Sequence, residues 1–205
     1  AFLMVVAIAV PFTLTMVFRR IGLFTKTEDA TVKAPQVQAV AQAKEATSAP
    51  AGTLISVKSP LAGQVQDLSQ SPDPVFAQGV MGQGLVIEPS QGELVAPVDG
   101  TVSVLFPTKH AIGLVTEQGL EMLIHIGMDT VNLNGQGFTA HIQQGDHVKT
   151  GDKLISFDME AIKAAGYPVT TPVIVTNQND FQIDTKGQLP HEVKPGDEIL
   201  LASKL

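Results

Sequence analysis

The sequence contains no cysteine. Disulfides, thiolate metal sites and cysteine nucleophiles are therefore excluded, and nothing indicates an oxidising compartment. Tryptophan is also absent and tyrosine occurs once, so few aromatic side chains are available to stack on nucleic-acid bases. Thirteen Lys and Arg against twenty Asp and Glu, a formal net charge of −7, argue further against a nucleic-acid-binding protein. Covalent chemistry, if any, must use His, Ser, Thr, Lys or a carboxylate.

The N-terminal part of the 205-residue chain is strongly apolar. Residues 1–18 carry no charge, and Arg19 and Arg20 follow at once. A helix needs about 20 apolar residues to cross a bilayer, and basic residues after it place the following chain in the cytoplasm. We therefore expect residues 1–24 to be the last transmembrane helix of a larger transporter. A secretory signal peptide and a buried core helix are the alternatives.

Residues 25–52 have a different composition from the rest of the chain. They are rich in Ala, Gln, Thr, Lys and Pro and contain almost no large apolar side chains. Such a segment cannot bury enough apolar surface to offset the entropy of ordering, so we expect a flexible linker. The folded domain is expected over residues 53–205.

Short apolar runs that alternate with polar residues dominate the expected domain. Gly, Pro, Asn and Asp separate these runs, a pattern that predicts an all-β fold, an antiparallel sandwich or barrel with one or two short helices. A helix is predicted over 159–165, with Asp158 as its N-cap and Gly166 after its end. The predicted strands are 54–57, 64–68, 85–87, 100–105, 112–115, 122–126, 153–157 and 173–175.

Two pairs of segments resemble each other in sequence. Residues 59–65 are similar to 96–102, and residues 148–152 are similar to 193–197. Each contains a turn-forming glycine, and all but 148–152 have a proline before that glycine. We interpret these repeats as turn chemistry that supports an all-β fold and has no role in a functional site.

Two histidines lie in alternating runs on either side of a glycine-containing turn, a pattern that predicts a β-hairpin. If the turn is centred directly after Glu117, His110 faces His125 with Cβ atoms about 5 Å apart, and Ile112 faces Leu123 beside them. This register is an assumption, because a slip of one residue would change every pair.

Neighbouring imidazoles in an apolar environment suit the transfer of a phosphoryl group. An unperturbed imidazole has a pKa of about 6.5, so near neutral pH it is largely uncharged and nucleophilic. One histidine could attack a phosphoryl donor while the other, together with the hydroxyl of Thr108, donates hydrogen bonds to the phosphoryl oxygens. The spacing leaves two alternatives open. His110 and His125 could be unrelated, or they could hold a zinc ion together with a carboxylate of a partner.

The segment GLEMLIHIGMDTV, residues 119–131, resembles the signature of a known family. This family is the glucose-type enzyme IIA domain of the bacterial phosphoenolpyruvate-dependent sugar phosphotransferase system. The resemblance implies an antiparallel β-sandwich in which His125 accepts a phosphoryl group from the phosphocarrier protein HPr. It also implies transfer to a cysteine of a IIB domain, with no cofactor required. Further similar segments are 72–76, 97–102 and 145–152, and the resemblance extends over 54–202.

The resemblance also implies roles for other residues. His110 and Thr108 are expected to steady the phosphoryl group, and Asp73 and Asp129 match acidic positions that are expected to meet a basic partner surface. An apolar surface that surrounds the active histidine in the family, and docks its partners, is matched by Phe76, Val80, Met81 and Phe106. Three histidines without such a match are interpreted as ordinary surface residues: His141, His147 and His191.

The order of the segments is similar to the C-terminal end of a fused sugar permease of IIB–IIC–IIA order. This similarity implies a transferase component in the bacterial cell membrane, with the IIA domain in the cytoplasm and the sugar bound by a IIC domain. Two other functions are alternatives. One is a regulatory IIA-like tail of a sugar carrier that does not phosphorylate its substrate. The other is a carrier domain with a swinging lysine, for which Lys109 and Lys153 are candidates.

Overall fold

A computed structural model describes residues 50–205, and these residues form an antiparallel β fold. The predicted transmembrane helix, and the predicted linker except for its last three residues, lie outside the described residues. Within residues 50–205, no helix is long and apolar enough to cross a membrane. The all-β fold class and its antiparallel pairing are confirmed.

The strands are short and follow one another closely along the chain. Two short helices, Pro74–Ala77 and Met159–Ala164, and two 3-10 turns, Leu68–Gln70 and Thr130–Leu133, lie between them. In chain order the strands are β1 Leu54–Lys58, β2 Gly63–Asp67, β3 Gln83–Pro89, β4 Glu93–Val95, β5 Gly100–Leu105, β6 Ala111–Val115, β7 Glu121–His125, β8 Phe138–Ala140, β9 His147–Val148, β10 Lys153–Phe157, β11 Thr171–Val175, β12 Phe181–Thr185, β13 His191–Val193 and β14 Glu198–Lys204.

Three sheets make up the described part of the chain. The largest has eight strands in the order β13-β2-β3-β11-β7-β6-β5-β9, and the two smaller sheets have the orders β1-β14-β12 and β4-β10-β8. β7 lies in the interior of the large sheet, between β11 and β6. Its backbone is therefore hydrogen-bonded on both sides, which makes it a rigid support for a functional side chain.

The large sheet is covered on both faces near its centre. Successive side chains of a strand point to opposite faces, so Met122 and Ile124 of β7 enter the main core while Leu123 points away from it. A smaller cluster, called here the outer cluster, covers this second face. Its members are Leu68, Phe76, Val86, Val104, Phe106, Ala111, Leu123, Met128 and Ile174, with Met81 packed at its edge.

The repeated turns share one hydrogen-bond pattern. In residues 149–152 and 194–197, the backbone N–H of the first lysine donates to the carboxylate of the last aspartate at 2.8 Å. The glycine before that aspartate has φ of 93° or 96°. Each turn also exchanges two backbone hydrogen bonds with one opposing residue, Ala96 for the first turn and Ser59 for the second. Each turn is therefore hydrogen-bonded to a segment of the other similar pair: the turn 149–152 to the segment that begins at Ala96, and the turn 194–197 to the segment that begins at Ser59.

The predicted elements agree with the structure where their sequence pattern is long. β5 and β10 have the predicted bounds, and the predicted helix 159–165 is observed as Met159–Ala164, with the Asp158 carboxylate accepting from the N–H of Ala161 at 2.9 Å. Elements that the sequence pattern did not predict are the strands β4, β8, β9, β12, β13 and β14 and the helix Pro74–Ala77.

The predicted register of the histidine hairpin is wrong by one residue. His125 pairs with Ala111, and Ile112 pairs with Ile124 rather than Leu123. The turn is centred on Gln118 rather than directly after Glu117. It is closed by Thr116 and Leu120, since the N–H of Thr116 donates to the Leu120 carbonyl oxygen at 3.0 Å and the Thr116 hydroxyl accepts from the N–H of Leu120 at 3.1 Å. This shift of the turn centre moves every pair along β6 and β7 by one position.

Candidate active site

His125 is the last residue of β7 and emerges on the face of the outer cluster. Strand alternation explains its direction, because Leu123, two residues earlier, packs into the same cluster. The buried ring of Phe76 lies beside it, with ring centroids 5.4 Å apart and an interplanar angle of 55°. The side chain of His125 keeps part of its surface exposed, so the ring is supported by apolar contacts and still reachable from solvent.

One hydrogen bond fixes the protonation of the His125 ring. Nδ1 lies 2.6 Å from the carbonyl oxygen of Gly127. A carbonyl oxygen only accepts, so Nδ1 carries the hydrogen and the neutral ring has its lone pair on Nε2. Gly127 has φ of 70°, and a Cβ at this position would lie 2.6 Å from the carbonyl oxygen of Pro168. The residue that aims this carbonyl at His125 must therefore be glycine.

His110 lies in the connection between β5 and β6, one residue before β6 begins. It is 3% exposed, and its ring centroid is 5.5 Å from that of Phe106 and 4.8 Å from that of His125. The predicted proximity of the two histidines is confirmed, but not through a strand pair. Lys109, with φ of 60°, turns the chain before His110, so strand alternation does not govern the direction of the His110 side chain.

Thr108 contacts the His110 ring directly, which the sequence did not predict. Its hydroxyl oxygen lies 2.5 Å from Nδ1 of the His110 ring. The backbone of His110 is also tied to the strand of the second histidine, because the N–H of Ile126 donates to the His110 carbonyl oxygen at 2.7 Å. The three residues predicted for chemistry, Thr108, His110 and His125, are therefore brought together at one place.

Both imidazoles are held neutral by their surroundings. Burial, and to a smaller extent the nearby His125 ring, lower the pKa of His110 from 6.5 to about 3. Burial also lowers the pKa of His125, against opposing effects of the hydrogen bond to Gly127 and of the negative charges of Asp73 and Asp129. At neutral pH the site therefore contains one ring with a lone pair at Nε2 and a second uncharged ring beside it.

Residues 55–181 match the family described as phosphoenolpyruvate-dependent sugar phosphotransferase system, EIIA 1. The chain belongs to this family.

Two curated relatives are beta-glucoside-specific EIIBCA components of this sugar phosphotransferase system. The one from Bacillus subtilis is 53% identical over 147 residues, which are 72% of this chain and 24% of the relative. The one from Halalkalibacterium halodurans is 48% identical over 163 residues, 78% of this chain and 25% of the relative. The chain thus spans about a quarter of the length of these relatives.

A solved structure supports the same family on the level of the fold. Glucose permease IIA from Mycoplasma capricolum is 35% identical, with a TM-score of 0.69, and the match covers 73% of this chain and 96% of that chain. The antiparallel sheets described above match a IIA β-sandwich. The chain therefore carries an EIIA domain, a component of a phosphotransferase system.

Two carboxylates of the EIIA domain lie close enough to His125 to affect its pKa. Asp73 caps the helix Pro74–Ala77, where its side chain accepts from the N–H of Val75 at 2.8 Å. Asp129 is exposed and has φ of 56° at the start of the turn Thr130–Leu133. Asp73 therefore has a structural role in the helix cap in addition to its position beside the histidine.

The four apolar residues that match the docking surface of the family differ in exposure: two are buried, one is half-buried and one is exposed. Phe76 and Phe106 are each 7% exposed, and their rings form the walls that contact the two histidines. Met81 is half-buried at the edge of the outer cluster, whereas Val80 is 69% exposed. Val75 is 45% exposed and is the second residue of the helix that Asp73 caps. The sequence did not predict Val75 as part of the apolar surface. Partner binding by these residues stays a prediction.

The other histidines of the domain lie elsewhere. His141 and His147 are exposed and contact the hydroxyls of Ser156 and Thr101, and the ring of His191 is 3.3 Å from the carbonyl oxygen of Gln188. These contacts fit their interpretation as surface histidines.

Neither candidate for a swinging lysine is both exposed and at the tip of a hairpin, as such a function needs. Lys153 is the first residue of β10, where its ammonium group lies 2.7 Å from the Glu93 carboxylate. Lys109 is half-buried immediately before His110. A carrier lysine must be exposed at a hairpin tip, so the structure gives this alternative no support.

Proposed function

We propose that this EIIA domain relays a phosphoryl group and that Nε2 of His125 carries it. The observation behind this proposal is the hydrogen bond from Nδ1 of His125 to the Gly127 carbonyl, because it leaves the lone pair on Nε2. A neutral ring is the nucleophilic form, and the lowered pKa of His125 keeps it neutral at the pH of a cytoplasm. The ring is half-buried yet accessible, as a residue that meets protein partners must be.

The transfer step exchanges one P–N bond for another. The phosphorus of the phosphohistidine on HPr is attacked by Nε2 of His125, and the imidazole of HPr leaves with the electron pair of the broken bond. The His125 ring gains positive charge while Nδ1–H stays bonded to the Gly127 carbonyl. The negative charges of Asp73 and Asp129 stabilise this charge, as their effects on the pKa of His125 indicate.

His110 and Thr108 steady the phosphoryl group in this proposal. The Thr108 hydroxyl contacts Nδ1 of His110, and in the proposed arrangement it donates to this atom. The hydrogen of the neutral His110 ring is then on Nε2 and can be donated to a phosphoryl oxygen. A neutral donor stabilises the group without the strong ion pair that an arginine would form. The group can therefore leave again for the next acceptor.

The partners of the relay are HPr as donor and a IIB domain as acceptor. The exposed apolar side chains of Val75 and Val80, with Met81, provide a dry contact area near His125, and Asp73 and Asp129 provide negative charge for a basic partner surface. The names of the two relatives combine B, C and A components. This supports a relay within a fused permease rather than a regulatory tail.

We further propose that the parent protein lies in the bacterial cell membrane, with the EIIA domain in the cytoplasm and residues 1–24 as the end of its membrane domain. Its sugar is a β-glucoside, as the names of the two relatives suggest.

The transfer step proposed here uses only side chains and no metal ion. Among residues 50–205, no group of three or more His, Cys, Asp or Glu side chains is arranged to hold a metal ion. A zinc ion bound by His110 and His125 would need a carboxylate from a partner and would occupy the lone pair that the transfer uses.

The relay is tested by following the phosphoryl group beyond this domain. Residues 50–205 are incubated with phosphoenolpyruvate, enzyme I, HPr and a separately produced IIB–IIC part of the parent permease. The rate of phosphorylation of a β-glucoside is measured and compared with the rate for glucose. The proposal predicts β-glucoside phosphate only when the EIIA domain is present. Phosphorylation of the EIIA domain without any transfer to the IIB cysteine would support the regulatory tail instead.

A further inference from the structure

Thr130 is a fully buried residue of the segment that follows His125, and its hydroxyl and its methyl group each contact that segment. Its hydroxyl donates to the carbonyl oxygen of Ile126 at 2.6 Å. Its methyl group lies against Gly127, because a Cβ added to Gly127 would be 2.6 Å from Cγ2 of Thr130. Thr130 thus holds two consecutive residues, and neither contact involves a partner outside this segment.

Those two residues are the backbone link between the histidines. The N–H of Ile126 donates to the carbonyl oxygen of His110 at 2.7 Å, and the carbonyl oxygen of Gly127 accepts from Nδ1 of His125 at 2.6 Å. The Thr130 hydroxyl bonds the peptide group between Ile126 and Gly127. This peptide lies between the one that carries the Ile126 N–H and the one that carries the Gly127 carbonyl. The Thr130 hydroxyl therefore restrains φ of Gly127, on which the direction of the Gly127 carbonyl depends.

Glycine at this position gives the chain freedom that must be restrained. Gly127 has φ of 70°, a conformation that glycine adopts without cost but also leaves without cost. The peptide that follows Gly127, and that carries its carbonyl, is held by Pro168, whose carbonyl oxygen accepts from the N–H of Met128 at 3.2 Å. The Gly127 backbone is therefore held between Pro168 and Thr130.

We propose that Thr130 is a positioning residue that fixes the direction of the Gly127 carbonyl and, through it, the tautomer of His125. The two parts of the threonine side chain have separate roles in this. The hydroxyl fixes the plane of the peptide that precedes Gly127, and the methyl group fills the space beside the glycine. The consequence for phosphoryl transfer rests on the proposed function, whereas the tautomer is a property of the folded domain alone.

The test uses residues 50–205, since the match to glucose permease IIA covers 96% of that chain, a solved protein of similar extent. Two variants separate the two roles. T130V keeps the shape and removes the hydroxyl, and T130S keeps the hydroxyl and removes the methyl group. The tautomer of His125 is read from the ¹⁵N chemical shifts of its ring at pH 7.5, and the rate of phosphorylation by phospho-HPr is measured on the same samples.

We expect wild type and T130S to have the hydrogen on Nδ1 of His125. We expect T130V to show a substantial fraction with the hydrogen on Nε2, and phosphorylation slowed on the order of tenfold, as for partners that orient a functional histidine. If folded T130V retains the wild-type tautomer and rate and loses only thermal stability, Thr130 is structural and the proposal is wrong.

A second measurement does not depend on a variant that folds. In the wild-type domain, the hydroxyl proton of Thr130 should exchange slowly with water and be visible by NMR, because its donor is buried and bonded. Fast exchange of this proton would overturn the proposal. If T130V changes the tautomer but even wild type takes up no phosphate, the positioning role holds and the proposed relay function fails.

Discussion

The ring of His110 lies 4.8 Å from the ring of His125, centroid to centroid, at an interplanar angle of 77°. In each ring Nδ1 has its own partner, the Thr108 hydroxyl for His110 and the Gly127 carbonyl for His125. Both Nε2 atoms are therefore left for chemistry: Nε2 of His125 has a lone pair, and Nε2 of His110 is the donor in the proposed transfer. The two rings therefore have different roles in the proposed transfer.

Replacing His110 with Gln should separate the two half-reactions. His125 keeps its own hydrogen bond to Gly127 and should still accept phosphate from HPr. Transfer to the IIB domain should slow by about 10²-fold, because the ring that stabilises the group in transit is gone. Rapid-quench measurement of both steps checks this, with H141Q, at an exposed histidine, as the control. Wild-type rates in both steps for H110Q would contradict the paired roles.

The stability of the domain should fall with pH below about 6.5. The pKa of His110 is lowered to about 3 and that of His125 is also lowered, both by burial. Between pH 6.5 and about 3 the unfolded chain therefore binds protons that the folded domain does not, so the free energy of unfolding decreases as the pH falls. Their contribution is fully present above pH 6.5.

Urea unfolding of wild type and H110Q at pH 7.5 and pH 5 measures this effect. The variant should lose less stability than wild type over this interval, because glutamine does not titrate. An equal loss in the two proteins would mean that His110 is not held neutral by the fold.

Replacing Gly127 with Ala should destabilise the domain more than the same change in a turn without neighbours. The new Cβ would lie 2.6 Å from both the Pro168 carbonyl oxygen and Cγ2 of Thr130, at φ of 70°. Gly145 is the matched control, since it has φ of 93° and nothing within 4 Å of an added Cβ. G145A should cost about 1–2 kcal/mol from backbone strain alone.

G127A adds a steric clash to that strain and should cost at least about 2 kcal/mol more. Guanidinium unfolding of the two variants gives the difference directly. Equal losses would show that the segment after His125 can move away from Pro168 and Thr130. The conclusion that the Gly127 carbonyl is held in one direction would then be wrong.

Replacing Asn177 with Ala should loosen the turn that joins β6 to β7. The Asn177 side chain accepts from the N–H of Glu121 at 3.0 Å and donates to the carbonyl oxygen of Gly119 at 2.8 Å. Removing both bonds should lower the free energy of unfolding by about 1–3 kcal/mol. Q182A, which removes only weak bonds on an exposed strand, serves as the control and should change stability by less than about 0.5 kcal/mol. An equal loss of unfolding free energy in N177A and Q182A would show that the Asn177 side chain does not stabilise the turn.

Strand prediction succeeded where the alternation of apolar and polar residues was long enough to be recognised. β5 and β10, with six and five residues, have their predicted bounds. β9 has two residues and β4 and β8 have three each, too few for any period to appear. β14 has seven residues, but Ile199 and Leu200 are buried in succession, so it lacks strict alternation.

The helix Pro74–Ala77 was missed although its start has a recognisable signal. Asp73 followed by proline is a typical N-cap and first helical position. With only four residues, the helix has no apolar period that could support this signal.

The site was predicted in part for the wrong reason. The predicted hairpin register is shifted by one residue, and His110 lies outside the strand that was assumed to hold it. These two errors offset each other, because the left-handed conformation of Lys109 redirects the His110 side chain. The Gly127 carbonyl could not be predicted, since its direction depends on a backbone conformation that residue spacing does not encode. Thr130 was visible in the sequence signature, but not its bond to Ile126.

The central claim is that His125 carries the phosphoryl group. Residues 50–205 are incubated with phosphoenolpyruvate, enzyme I and HPr, and the acid-labile phosphate is located by mass spectrometry under neutral conditions, with H125A as the control. The account predicts one phosphate per chain on His125 and none on H125A. Phosphate on His110 or on an exposed histidine such as His141, or no phosphate on wild type, would contradict it.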